Sequence, residues 1–145
     1  MQAARVLRVC VVANWILLVA MVVLSFVLES HLPDPLRDWV AAESEKDFTP
    51  KELILLGLAV PWFGFYVVGG FGLFLLKRWG AWLFLASLIG LWIPVPFFGP
   101  TVEHAVPYAL YEASVMITGL IIGLAFFSDA LVSEKEEEKM GARVG

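Results

Sequence analysis

Four apolar runs fill most of this chain: Val9 to Leu28, Leu53 to Leu76, Trp79 to Phe98 and Val106 to Phe127. A helix rises about 1.5 Å per residue, so roughly 20 apolar residues cross a hydrocarbon core of about 30 Å, and each run reaches that length. Only Glu112 interrupts the four runs with a charge. In lipid every backbone N–H and C=O must find its partner inside the protein, and for isolated apolar runs of this length the helix is the form that does so. The sequence therefore predicts an all-α, polytopic membrane protein. Its fold is a four-transmembrane-helix up-down bundle over residues 1–132, with spans at about 9–28, 53–76, 79–98 and 106–127. A charged cytoplasmic tail, 133–145, is expected to follow.

The charged residues, 17% of the chain, fall almost wholly in the connections between runs, so their distribution carries the topology. Lys and Arg near span ends set orientation, and acidic residues count for little. Arg5, Arg8, Lys77, Arg78, Lys135, Lys139 and Arg143 fall on one side, against Arg37, Lys46 and Lys51 on the other. This imbalance predicts both termini in the cytoplasm, in a bacterial-type inner membrane. A signal peptide is disfavoured for the first run, because its apolar stretch is long and no A-x-A-like site follows it. Aromatic residues near both boundaries, such as Trp15, Trp79, Trp92 and Tyr108, read as interfacial anchors.

Several functional classes drop out on composition. A net charge of −4 leaves no basic surface for nucleic acid, and no glycine-rich phosphate loop offers a nucleotide site. The single cysteine, Cys10, supplies no CxxC couple. No cofactor, no metal and no enzyme activity are expected.

The connections carry their own signals. In the outer loop, Asp34 reads as an N-cap with Pro35 at the first helical position, and Leu36, Trp39 and Val40 share one face, which predicts a short amphipathic outer-face helix between spans one and two. Thr49, Pro50 and Glu52 have the spacing of a capping box with proline at N1, marking the start of the second helix. Lys77 and Arg78 leave so short a turn that spans two and three must be antiparallel neighbours. Pro61 and Pro107 are expected to bend spans two and four.

Small residues four apart let helices approach closely in lipid, and Gly119 with Gly123 in span four and Ala86 with Gly90 in span three have that spacing. They are read as packing positions, within the bundle or against a homodimer or partner membrane protein. Glu112 is the residue most in need of a role, since a carboxyl group inside a span costs about 2.5 to 3.5 kcal/mol near the centre. Tyr108 lies one turn away and is expected to cover it, with Tyr66 and Ser25 as other candidates. Asn14 in span one, read as lying nearer the cytoplasmic side than Glu112, is expected to join helices by hydrogen bonding. Outside, Glu29 and His31 end span one while Glu103 and His104 precede span four, so an up-down ring would bring two imidazoles and two carboxylates together. Their spacing matches no metal signature, and exposed polar residues are ordinary at membrane exits. The function expected from these features is a non-catalytic accessory, scaffold or assembly partner within the bilayer. The alternative is a small, dimeric proton-coupled carrier using Glu112.

Overall fold

The computed structural model describes residues 2–28, 31–44, 46, 49–97 and 104–131. Among them the regular structure is all helical, with five α-helices and no strand: α1 (Gln2–Leu28), α2 (Asp34–Ser44), α3 (Pro50–Phe74), α4 (Arg78–Trp92) and α5 (Ala105–Phe127). Four segments are long and apolar enough to cross a membrane: α1, α3, α5, and α4 with its continuation to Phe97. Large apolar side chains point outward along all of them, Ile54 and Met116 each more than 70% exposed. Such a surface is stable against hydrocarbon and unstable against water, which marks a membrane protein.

Helix limits follow hydrogen bonding rather than hydropathy. The first helix begins before its apolar run, at Gln2, and Arg8 sits within it. Its guanidinium donates to the Phe74 carbonyl at 3.1 Å and lies over the Phe74 ring. One polar bond and one ring face thus hold the charge at the end of α3. The third apolar run stops being α-helical at Trp92, because Pro94 and Pro96 carry no N–H; Val95–Phe97 forms a 3-10 turn instead.

Caps explain the remaining boundaries. At the start of α3, Glu52 N–H donates to Thr49 Oγ1 at 3.3 Å, and Thr49 N–H donates to the Glu52 carboxylate at 2.7 Å, with Pro50 at N1. The α3 helix ends in the reciprocal motif for C-termini. Lys77 N–H donates to Gly72 O and Leu76 N–H to Leu73 O, with Leu76 at φ 56. Glycine is the usual residue at that left-handed position. Leucine is held there because its side chain packs against the buried core.

Two expectations about local structure are corrected. Asp34 is the first residue of α2 rather than its cap: the Pro33 carbonyl accepts from Leu36 and Arg37, and the Asp34 carboxylate pairs with Arg37 at 2.7 Å. Pro107 does not free a carbonyl in mid-helix, because α5 starts only two residues earlier. It occupies the first turn, where amides have no intrahelical acceptor, and no bend is required there.

The spans pack as two pairs. α3 and α4 form one hairpin, closed by glycines whose missing side chains let backbones meet. A Cβ on Gly80 would lie 2.5 Å from the Gly72 carbonyl carbon, and one on Gly69 would lie 2.6 Å from the Phe84 nitrogen. Gly90 lies directly against the Trp62 indole. The buried line of α4 runs through Gly80, Phe84, Ser87 and Gly90, so Ala86 lies off it and is exposed. The second pair is α1 with α5, whose buried residues include Leu7 and Val11 on one helix and Ile121 and Ala125 on the other. Gly70, where an added Cβ would come within 3.2 Å of the Trp15 ring, joins the two pairs through α1 and α3. Between α4 and α5 contact is sparse, with Trp82 edge-on to Phe126 at 5.0 Å.

Candidate functional site: a polar node beneath a lateral cleft

Asn14 stands at the junction of three spans. Its side chain is 1% exposed, and its Nδ2 donates to the Tyr66 hydroxyl of α3 at 2.5 Å. Its Oδ1 accepts from Ser114 of α5 at 2.7 Å and, at a longer 3.5 Å, from Thr118 one turn farther along. Three side chains from α3 and α5 thus converge by hydrogen bonds on Asn14 of α1. Among the described residues no buried side-chain polar atom is left without a partner. In hydrocarbon such a network fixes which residues face one another, since slipping one helix would orphan all of these groups.

The sparse contact between α4 and α5 leaves a cleft of about 860 Å³. Leu85, Leu88, Ile89 and Trp92 form its α4 wall, and Tyr111, Val115, Gly119 and Ile122 its α5 wall. Its floor is the polar node: Tyr66, Ser114 and Thr118 all reach the surface of the cleft, while Asn14 lies beneath them. Pockets for small molecules fall at roughly 300 to 1,000 Å³ and combine apolar walls with a few placed polar groups, a description that fits this cleft.

Glu112 occupies a different surface. At about 100° per residue, it lies nearly opposite Ile121 and Ser114 around α5. It is exposed on the outside of the bundle and does not line the cleft. Tyr108, one turn nearer the helix start, is its exposed neighbour on that surface. Tyr66 is committed to Asn14. The separation of Asn14 from Glu112 is therefore one of face rather than depth: Ser114, which touches Asn14, is only about 3 Å farther along the helix axis than Glu112.

Gly119 and Gly123 do not pack against another span. A Cβ at either would meet nothing within 4 Å, because both lie on the side of α5 turned away from α1. Met116, 73% exposed, and Glu112 share that side. Among the described residues the glycines that join helices within the chain are Gly69, Gly70, Gly72, Gly80 and Gly90. Gly80 follows too closely on the turn to show up as one of a four-residue pair.

The outer histidines have different surroundings. His104 is the N-cap of α5, its Nδ1 accepting from Val106 N–H at 3.3 Å, and His31 is exposed at the other helix end. Glu29 and Glu103 lie outside the described residues, as does the tail 133–145. Among the described residues no three His, Cys, Asp or Glu side chains come together in a group fit to hold a metal ion.

Comparison with protein-family models, curated proteins and solved structures finds no match for this chain.

Proposed function

We propose that the protein is a non-catalytic accessory of the bacterial inner membrane, an assembly partner that docks another membrane protein through the outward face of α5. The observation that carries this reading is the coincidence, on one unpartnered face, of Glu112 with two glycines in open space. Against lipid, a carboxyl group is expensive and bare helix backbone forgoes van der Waals contact. Against a second helix both become assets: the glycines admit close approach, and the carboxyl group accepts a hydrogen bond or pairs with a basic side chain. The fitting partner is a transmembrane helix with small residues at its contact line and a donor or cation at the level of Glu112. In this reading the helices run up and down with both termini in the cytoplasm, and α2 lies on the outer interface.

The carrier alternative needs Glu112 to exchange protons with a substrate path, and its position away from the cleft gives that role no support. Site-specific photocrosslinking in native membranes tests the docking reading. A crosslinker at Met116 is expected to yield a protein adduct of defined mass, lost in Glu112→Leu combined with Gly123→Ile. The same crosslinker at Ile54, equally exposed on α3, is expected to label only lipid. An adduct of twice the chain mass would replace the partner with a second copy, and lipid labelling alone at Met116 would overturn the reading.

A further inference from the structure

We propose that the cleft between α4 and α5 binds an uncharged lipophile at mid-membrane depth, its carbonyl accepting a hydrogen bond from Thr118 or its hydroxyl donating to Ser114 or Thr118. The cleft lies beside the docking face and excludes Glu112, and Gly119 stands at the border between the two.

Depth decides the class of ligand. Ser114 and Thr118 follow Ala105, the first residue of α5, by 9 and 13 residues, which puts them about 14 and 20 Å along the helix. A hydrocarbon core of roughly 30 Å has its midplane in that interval. A phospholipid holds its charged headgroup at the interface and would present only the ends of its acyl tails to the node. A neutral amphiphile has no such anchor, and its one polar group is free to lie at the middle of the bilayer. Among the described residues no Lys, Arg, His, Asp or Glu lines the cleft, so a charged ligand would meet no counter-charge there.

The node has capacity for such a group. Asn14 Oδ1 has two lone-pair directions, one taken by Ser114 at 2.7 Å and the other only loosely by Thr118 at 3.5 Å. The Thr118 hydroxyl is the weakest-held member and lines the cleft, so it can turn to donate to a ligand oxygen. Both hydroxyls keep acceptor lone pairs for a ligand O–H. The bare Gly119 backbone widens the cleft beside them, where any side chain would intrude. Trp92 in the opposite wall gives the site an optical reporter.

The test uses the full chain in nanodiscs, with a decyl-substituted benzoquinone as probe and tryptophan fluorescence as readout. Saturable quenching is expected in the wild type. Gly119→Leu should abolish the saturable phase by filling the cleft, and it should still fold, because nothing lies within 4 Å of the added Cβ. Gly57→Leu, also in open space but away from the cleft, should bind as the wild type does. Thr118→Val keeps shape and loses the hydroxyl, so affinity should fall about fivefold, the worth of one net hydrogen bond. Decylbenzene, which carries no oxygen, should compete poorly. Quenching that never saturates, or that saturates equally in Gly119→Leu, would overturn the site. Equal binding by Thr118→Val together with full competition by decylbenzene would overturn the hydrogen-bonding ligand.

Discussion

Replacing Asn14 with alanine removes the centre of the node and measures what holds α1 in register with α5 and α3. The substitution loses two short interhelical hydrogen bonds, to Tyr66 at 2.5 Å and from Ser114 at 2.7 Å, and one long one from Thr118. Within membranes one such bond is worth about 0.6 kcal/mol on average and at most about 1.7, so the two short ones amount to about 1 to 3 kcal/mol. The side chain is almost wholly buried, and the void left behind adds about 1 kcal/mol. A total loss of about 2 to 4 kcal/mol is expected from these terms. The assay is reversible unfolding in mixed micelles of increasing denaturing detergent, followed by helicity. A double-mutant cycle with Ser114→Ala then separates the bond from the void, and its coupling energy should lie near 0.6 to 1.7 kcal/mol. Additivity of the two substitutions within about 0.3 kcal/mol would refute the claim that the node, rather than general packing, joins α1 to α5.

Gly80→Ala should destabilise the protein by about 1 to 3 kcal/mol, because its new methyl group meets the Gly72 backbone, which cannot move without parting α3 from α4. Gly119→Ala should be neutral or stabilising by up to about 1 kcal/mol from helix propensity, and equal thermal midpoints for the two variants would contradict the packing described. Thr49→Ala should cost about 0.5 to 2 kcal/mol by opening the capping box, with the loss confined to faster amide exchange in the first turn of α3. Uniform exchange at those amides in variant and wild type would show that the box does not hold the helix start.

What the sequence reveals of this fold is set by how local each signal is. Span number and the capping box at Thr49 depend on contiguous residues, and a reader of the chain recovers them from hydropathy and side-chain chemistry alone. Glycine roles are another matter. Spacing four apart marks Gly119 and Gly123 as readily as any true contact, yet whether a glycine is opposed by backbone depends on a helix distant in sequence. Gly80 meets Gly72 because the turn at Leu76 folds α4 back at once, and Gly119 meets nothing because α5 pairs with α1 on its other side.

The polar node follows the same logic, and it also explains why Glu112 draws attention first. A charge in an apolar run is conspicuous in one dimension, whereas Ser114 and Thr118 are too weakly polar to stand out and Tyr66 reads as a partner for Glu112. Only when α1, α3 and α5 converge do the three hydroxyls meet at the Asn14 amide. The angular arithmetic of α5 was nonetheless open to sequence reasoning: two residues of separation rotate Ser114 about 200° away from Glu112, so the two cannot serve the same interior. Once Asn14 is taken as the fixed point of the core, Ser114 belongs inward and Glu112 outward. A single helix then presents two chemistries to two environments, a neutral hydrogen-bonding face to the cleft and an acidic, glycine-bearing face to whatever lies beside the bundle.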